Sequence, residues 1–411
     1  MRENHRSLTW ETRYARRAAS VSSSAIRELL KVVQTPGMLS LAGGMPPPEL
    51  FPIQAVQAAC QHVLSERGRE AMQYGITEGY APLRQFVVEW MSRSSLQLDE
   101  SNVLITSGGM QGLDLVGRLL INPGDPIIVE SPTFLGALQS FTINQAQFLP
   151  VPTDEEGIVP THLEAALKKR PALVYLIPTF QNPTGITLSA RRRREIIELA
   201  DRYQTPIIED DPYSHLRVEG EEVTPLIRLD AETRGSTGGG LQSNVIYVGT
   251  FSKILGPGLR VGWLVGPAVV IRQLTILKQG VDVHTGVLAQ MIVHQVTQDD
   301  FLVGHVERLR AALRLRRDAM LDALERHFPP GVQWTRPEGG LFLWVTLPPE
   351  MDATELLTEA IKAKVAFVPG RPFYADESGQ HTLRLSFSYP TPEQIQIAIE
   401  RLGKILARRL R

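Results

Sequence analysis

The segment "NVIYVGTFSKILGPGLRVGWLVG", residues 244–266, contains two apolar runs separated by a turn that is rich in glycine and proline. Runs of this length and composition are typical of buried strands. The turn places Lys253, next to Ser252, just after the first strand. A lysine that is partly desolvated and near other cations binds its proton less tightly, which makes it a nucleophile for a carbonyl carbon. The segment therefore predicts a buried sheet and a candidate Schiff-base lysine.

Similar apolar runs recur along the chain and alternate with amphipathic stretches of helical period. One such helix covers residues 189–203, with Ser189 as its N-cap. Strands that are buried on both faces and separated by helices predict an α/β fold with a mainly parallel sheet. Besides the two runs already quoted, the predicted strands are residues 102–108, 126–130, 172–178 and 205–210.

The chain is long enough for two domains, and its pattern changes near residue 300. A long charged helix follows that point, and later apolar runs predict a second, smaller sheet. These runs are residues 339–348, 365–370 and 382–389. We expect a large domain over 51–300 and a smaller α+β domain over 301–411, with an N-terminal arm over 1–50.

Composition narrows the possible partners. The 43 basic and 44 acidic residues nearly cancel, which argues against nucleic acid or an anionic membrane as the main partner. No apolar run approaches the roughly 18 residues that span a bilayer. The single cysteine, Cys60, cannot form an intrachain disulfide and fits a cytoplasmic location. His284 and His294 lack a neighbouring carboxylate or cysteine cluster, so we expect no metal site.

Polar segments follow three of the predicted strands. "TSGGMQG" (106–112) opens a helix whose first amides could bind a phosphate, although it lacks the spacing of a P-loop or dinucleotide site. "PTFQNPTG" (178–185) and "EDDPY" (209–213) end two other strands. Each segment alone is equally consistent with a polar turn. Ligands of doubly wound sheets bind at the carboxyl ends of the strands, so together they favour a shared site.

Pyridoxal phosphate requires a Schiff-base lysine, a carboxylate for its ring nitrogen, donors for its ring oxygen, and an anion cradle with an arginine. The chain offers a candidate for each of these groups. Their order along the chain resembles the signature of the fold type I pyridoxal-phosphate-dependent aminotransferases. The residues that carry this resemblance are Asn182 in "NPTG", Asp210, Tyr213, Lys253 in "SK", Arg260, and Arg384 in "LRLSF".

The resemblance extends over nearly the whole chain. "LSLAGGMPPPELFP", "QYGITEGYAPLR" and "FVPGRPF" further resemble the branch that includes 2-aminoadipate and kynurenine aminotransferases. The family fold implies a mainly parallel, seven-stranded-type sheet in a large domain, and a smaller α+β domain. It also implies that the N-terminal arm packs with the small domain and covers the active site.

The resemblance assigns roles to the residues around the cofactor ring. Lys253 would hold the cofactor covalently and, once released, move a proton between the substrate α carbon and the cofactor. Asp210 would keep the ring nitrogen protonated, while Asn182 and Tyr213 would bind the ring oxygen. Phe134 stands where relatives often have a tyrosine stacked on the ring, so stacking is kept and a phenol is lost.

The phosphate and the substrate have their own implied partners. Ser252 and Arg260, with the amides of Gly109 and Met110, would hold the phosphate, although Gly109 replaces a hydroxyl that relatives often carry. Tyr74 resembles a tyrosine that reaches the phosphate of the neighbouring subunit, which implies a homodimer. The substrate would be bound by Arg384 at its α-carboxylate, together with Asn182 and the backbone around Gly44.

The resemblance implies that an N-terminal helix covers the substrate pocket and so influences the choice of donor. Residues 23–31 read as a helix, and Arg27 on it could meet the side-chain carboxylate of glutamate or 2-aminoadipate, or equally could be a solvated residue beside Glu28. Leucine or aromatic donors are the alternatives. The acceptor would be 2-oxoglutarate, and the two half-reactions would give ping-pong kinetics.

Two other activities use the same kind of domain. A pyridoxal-phosphate lyase or decarboxylase could employ the same Lys253 and Asp210, although Arg384 favours transamination. A transcription regulator with an aminotransferase-like domain needs a DNA-binding module, for which the roughly 40 residues before "LAGG" are too few.

Overall fold

The computed structural model describes residues 8–19, 36–93, 96–235 and 240–410. Within these ranges the α-helices are α1 Arg16–Ala19, α2 Ile53–Ala71, α3 Ala81–Ser92, α4 Gly109–Leu120, α5 Leu135–Ile143, α6 Pro160–Leu167, α7 Ala190–Arg202, α8 Leu226–Thr233, α9 Ala268–Asp282, α10 Val287–Val296, α11 Phe301–His327, α12 Ala353–Lys362 and α13 Pro392–Arg409. None of the described helices is long and apolar enough to cross a membrane.

The strands in the same ranges form three sheets. They are β1 Leu39–Ser40, β2 Val103–Thr106, β3 Pro126–Ser131, β4 Gln147–Asp154, β5 Gly157–Ile158, β6 Val174–Leu176, β7 Ile207–Asp210, β8 Val245–Thr250, β9 Gly262–Val265, β10 Gln333–Trp334, β11 Phe342–Thr346, β12 Val365–Ala366, β13 Val368–Pro369 and β14 Thr382–Ser386.

The large sheet has the strand order β2-β9-β8-β7-β6-β3-β4-β5 over the described residues. Its central strands run parallel, whereas β9 is antiparallel to both β2 and β8. The side chains of β2, β6, β7 and β9 are buried on both faces, which explains their continuous apolar sequences. The predicted α/β fold with a mainly parallel sheet is therefore confirmed.

Strands β4 and β5 were not among the predicted strands. β4 contains Pro150 and Pro152, which lack a backbone N–H and are unusual inside a sheet. It runs parallel to β3 along its length, and its last residues pair with the two-residue β5. Proline is tolerated here because β4 lies near the edge of the sheet, where one side of the strand needs few ladder hydrogen bonds.

A smaller antiparallel sheet with the order β10-β11-β14-β13 lies towards the end of the chain. The long helix α11 packs against α13, and β1 pairs in parallel with β12. Arg384 lies in the middle of β14, opposite Trp344 on one side and Val368 on the other. The small sheet thus carries a cation on a rigid central strand, from where it reaches the large sheet.

Candidate active site

The candidate lysine lies just after β8, at the carboxyl end of the central parallel strands. The Nζ atom of Lys253 donates a hydrogen bond of 2.7 Å to the carbonyl oxygen of Gly44. Burial, followed by the positive charges of Arg384 and Arg260, lowers the pKa of Lys253 to about 8, against the opposing effect of Asp210. A sizeable fraction of the amine is therefore neutral near physiological pH, as a nucleophile requires.

Asp210 ends β7 and is only 7% exposed. Its Oδ2 atom accepts a 2.7 Å hydrogen bond from the hydroxyl of Tyr175. Burial raises the pKa of Asp210 to about 7, while the bond from Tyr175 and the charge of Lys253 lower it. A buried carboxylate with one partnered oxygen is well suited to stabilise a cationic ring nitrogen.

Asn182 and Tyr213 lie next to each other, in the segments that follow β6 and β7. The side-chain amide of Asn182 donates to the hydroxyl of Tyr213 at 3.4 Å, and its Oδ1 atom accepts from Arg384 at 2.8 Å. Burial raises the pKa of the Tyr213 hydroxyl, so it remains protonated and can donate a hydrogen bond. Asn182 therefore links Tyr213 to the arginine of the small sheet.

Arg384 is a buried cation that has no anionic partner in the described part of the chain. Besides the bond to Asn182, it donates to the carbonyl oxygen of Ala42 at 2.7 Å, and its guanidinium lies 4.1 Å from the ring centroid of Phe342. Its Nε atom has no hydrogen-bond partner, and no salt bridge to it occurs among the described residues. Burial lowers the pKa of Arg384 to about 10. Because an unpaired buried charge is costly, this arrangement favours binding of a carboxylate.

An anion cradle surrounds the first turn of α4. The helix begins at Gly109, and the preceding Gly108 has a φ of +86°. A Cβ atom at Gly108 would lie 2.5 Å from Nη2 of Arg260, so a side chain there would displace the guanidinium. Ser252 lies on the other side, with its hydroxyl bonded to Thr250 at 2.9 Å. Free first-turn amides, a hydroxyl and a guanidinium together suit a phosphate.

The backbone conformation of Arg260 is set by the glycine- and proline-rich turn that was predicted from residues 244–266. It adopts a left-handed conformation with φ of +55° and donates to the carbonyl oxygen of Ser107 at 3.1 Å. Both of its backbone partners are neutral carbonyl groups, at Ser107 and Pro257. Its positive charge is therefore available to an anion in the cradle.

The remaining predicted residues surround this centre. Phe134 precedes α5 and contacts Gly136, where an added Cβ would lie 2.5 Å from the ring and 3.0 Å from the sulfur of Met110. Gly44 touches Phe342 and binds Lys253 through its carbonyl oxygen. Tyr74 is 81% exposed and contacts the ring of His284 edge-on. Arg27 and its predicted helix lie outside the described residues.

Some residues of the centre were not predicted from the sequence. Tyr175 looked like an ordinary apolar position of a buried strand, yet its hydroxyl reaches Asp210. Glu130, at the end of β3, is 2% exposed and accepts a 3.0 Å bond from the amide of Ile177. Burial raises the pKa of Glu130 to about 8. Glu130 could have been recognised in the sequence as a charged residue inside an otherwise apolar strand.

The described residues fit pyridoxal phosphate. The cradle between Gly108 and Arg260 matches its phosphate, the buried Asp210 its ring nitrogen, and the partly neutral Lys253 its aldehyde. All three features lie at one edge of the same sheet, at the carboxyl ends of β2, β7 and β8 and before the amino end of the antiparallel β9. Together, the fold and this centre define a fold type I enzyme that depends on pyridoxal phosphate.

Comparison with known proteins identifies the family. Residues 37–402 match the model of aminotransferase class I and II, and the chain belongs to this family. It is 42% identical over 97% of its length to the aromatic-amino-acid aminotransferase 1 of Thermococcus litoralis, of which 95% is covered. It is also 42% identical over 97% of its length to the 2-aminoadipate transaminase of Thermus thermophilus, of which 98% is covered.

A solved structure supports the same conclusion. The alpha-aminoadipate aminotransferase from Thermus thermophilus, complexed with N-(5'-phosphopyridoxyl)-L-leucine, superimposes with a TM-score of 0.90. The two chains are 41% identical, and the match covers 98% of this chain and 99% of the other. The chain is a pyridoxal-phosphate-dependent aminotransferase, and none of the relatives named here is a lyase or decarboxylase.

Proposed function

We propose that this aminotransferase moves an amino group from an acidic L-amino acid, glutamate or 2-aminoadipate, to a 2-oxo acid such as 2-oxoglutarate, with Lys253, Asp210 and Tyr213 as its catalytic residues. The assignment of residues rests on two groups in one site: a partly neutral Lys253, and Arg384, a buried cation without an anionic partner among the described residues. One offers an amine to the cofactor, and the other offers a guanidinium to a carboxylate. An α-amino acid presents both matching groups on one carbon atom.

Bound pyridoxal phosphate supplies an aldehyde that accepts the amino group and a ring that takes up electron density from the substrate α carbon. The protein residues provide the rest. Arg384 and Asn182 would bind the α-carboxylate and so fix the orientation of the α carbon. The amine of Lys253, once released from the cofactor, would take the α proton and return it on the cofactor side.

Asp210 and Tyr213 would control charge at two different atoms of the cofactor, the ring nitrogen and the ring oxygen. A carboxylate at Asp210 favours a proton on the ring nitrogen, and the ring then withdraws electrons more strongly. The protonated hydroxyl of Tyr213 and the amide of Asn182 would donate to the ring oxygen. Ser252, Arg260, Gly109 and Met110 would anchor the phosphate.

We propose acidic donors ahead of leucine and aromatic amino acids, which are the alternatives. The named relatives act on aromatic amino acids and on 2-aminoadipate, and one solved relative holds a leucine adduct. The side-chain carboxylate of an acidic donor needs a cation beyond Arg384, and Arg27 is our candidate. This choice of donor is the finest part of the proposal.

A donor panel tests the substrate assignment. Initial rates with glutamate, 2-aminoadipate, leucine, phenylalanine and kynurenine, each with 2-oxoglutarate, would be compared in wild type and in Arg27→Ala. We expect kcat/KM to fall for acidic donors only, and Arg13→Ala, which changes an exposed N-terminal arginine, should leave the preference unchanged. An unchanged preference for acidic donors in Arg27→Ala would remove Arg27 from the site.

We further propose a homodimer with shared active sites. The exposed apolar side chains of Met72, Tyr74 and Ile76 support an interface on this segment, and Tyr74 would reach the phosphate of the neighbouring subunit. Sedimentation equilibrium would detect the dimer. Tyr74→Phe should weaken cofactor binding but leave the dimer intact. A stable monomer with full activity would contradict this arrangement.

We also propose the domain bounds and the location of the protein. The large domain would span 51–300 and the small domain 301–411, with residues 1–50 as an arm over the site. The start of helix α11 at Phe301 supports the boundary near 300. The single free thiol, Cys60, supports a cytoplasmic location.

A further inference from the structure

Tyr175 is a buried tyrosine whose hydroxyl contacts the carboxylate of Asp210. Its side chain is fully buried, and its ring packs edge-on against Phe141 with centroids 5.6 Å apart. The hydroxyl donates to Oδ2 of Asp210 at 2.7 Å. A buried phenol held by packing on one side and by a carboxylate on the other has little freedom to reorient.

The sheet register explains why these two side chains meet. Tyr175 on β6 lies opposite Ile208 on β7, and Asp210 follows two residues later. Because side chains alternate along a strand, Ile208 and Asp210 point to the same face as Tyr175. Neighbouring strands of the central sheet therefore fix the distance between phenol and carboxylate.

We propose that Tyr175 is a positioning residue of the transamination reaction: by occupying Oδ2 of Asp210, it holds this carboxylate ionised and directs Oδ1 to the cofactor ring nitrogen. This inference rests on the proposed role of Asp210. The phenol acts through Asp210 and not on substrate. It provides in a dry environment the hydrogen bond that water would otherwise give to the carboxylate.

Several charged groups act on the same carboxylate, and Tyr175 is the only direct side-chain donor to it among the hydrogen bonds of the described residues. Burial and the charge of Asp211 oppose ionisation of Asp210, whereas Lys253 favours it from the next strand. Glu130, Tyr213 and Tyr247 are further titratable groups whose charges interact with Asp210. Removing the phenol removes the largest contribution that lowers the pKa of Asp210, while burial and the charge of Asp211 continue to raise it.

The consequence for the cofactor follows from proton affinity. A less stable carboxylate draws the shared proton away from the ring nitrogen, and the ring becomes a weaker electron acceptor. The α-proton step then slows, while binding of the substrate carboxylate at Arg384 is unaffected. Loss of positive charge on the ring also raises the pH at which the absorbance of the bound cofactor titrates, because nearby positive charge favours deprotonation.

The chain contains a matched control on the opposite face of the same sheet. Tyr247 is 2% exposed and donates to Oδ2 of Asp211 at 3.0 Å. It pairs in register with Glu209, so its side chain points away from the face of Asp210. Tyr175→Phe and Tyr247→Phe therefore remove the same buried hydroxyl from adjacent carboxylates, and only one of these carboxylates belongs to the proposed site.

The test compares both variants as holoenzymes with wild type. For Tyr175→Phe we expect kcat with glutamate to fall about tenfold with little change in KM, since a hydrogen bond to a charged group is lost. The pH midpoint of the cofactor absorbance should move upward, and the Kd of apoenzyme for pyridoxal phosphate should rise. Tyr247→Phe should show the thermal destabilisation of a lost buried hydrogen bond but a wild-type absorbance titration.

Three results would overturn the inference. One is a Tyr175→Phe titration that superimposes on wild type, and another is an equal shift in Tyr247→Phe, which would indicate a general loss of packing. The third is a fall in kcat/KM that lies wholly in KM. Failure of the proposed donor choice would look different, because wild type would then show the titrating chromophore but little turnover of glutamate.

Discussion

Replacing Arg384 with lysine should keep a positive charge in the pocket but weaken the binding of every α-amino acid. A guanidinium contacts Asn182 at 2.8 Å and the carbonyl of Ala42 at 2.7 Å while it still presents further N–H groups to a ligand. A lysine ammonium is a single point of charge and cannot reproduce this fork. We therefore expect the variant to lose one of two contacts to the α-carboxylate.

The size of the effect follows from the burial of the site. Arg384 is 2% exposed, and its guanidinium lies over the rings of Phe342 and Phe373 at 4.1 and 5.1 Å. A hydrogen bond to a charged group contributes roughly 1.5–3 kcal/mol, which corresponds to a fall in kcat/KM of about 10- to 150-fold. Solvent cannot compensate for the lost contact because the guanidinium is enclosed by protein.

The assay measures initial rates with glutamate and 2-oxoglutarate, together with the Kd for pyridoxal phosphate. Arg217→Lys serves as the control, since Arg217 is also a buried arginine, 7% exposed and stacked on Phe180 at 4.7 Å. It should retain catalysis, and both variants should bind cofactor normally. Activity of Arg384→Lys within threefold of wild type, or an equal loss in Arg217→Lys, would refute the assigned role of Arg384.

Two further predictions concern the cofactor itself. Because the pKa of Lys253 lies at about 8, the rate at which apoenzyme captures pyridoxal phosphate should rise with pH through about 8 and then level off, as followed by stopped-flow absorbance; a flat profile would contradict a partly protonated lysine. Gly108→Ala places a Cβ 2.5 Å from Arg260 and should raise the Kd for pyridoxal phosphate about tenfold or more. The control Gly124→Ala has a similar φ of +91° but open space around it, so it should add backbone strain and leave the Kd for pyridoxal phosphate unchanged. Equal Kd values in both variants would exclude a phosphate-binding role for the cradle.

Much of the large sheet could be predicted from the sequence because its central strands are apolar along their whole length. The runs that contain Val174–Leu176 and Ile207–Asp210 correspond to observed strands. Gln147–Asp154 was missed because it combines prolines with alternating exposure. A strand of this kind is defined by its neighbour β3 and not by its own composition.

The proximity of the proposed catalytic residues could also be predicted, whereas the contacts that support them could not. Lys253 and Asp210 follow recognisable strands, so the parallel topology alone brings them together. The bond between Tyr175 and Asp210 depends on strand order and register, which no local pattern encodes. Contacts made by backbone carbonyls, such as that of Ala42 with Arg384, leave no trace in residue type at all.

The central claim is the covalent role of Lys253, and a single comparison tests it. Wild-type protein loaded with pyridoxal phosphate is treated with borohydride, digested and analysed by mass spectrometry beside Lys253→Ala. We expect the phosphopyridoxyl group on Lys253 in wild type, and we expect Lys253→Ala to carry no such label and not to turn over glutamate. Label on another lysine, or full turnover by Lys253→Ala, would contradict it.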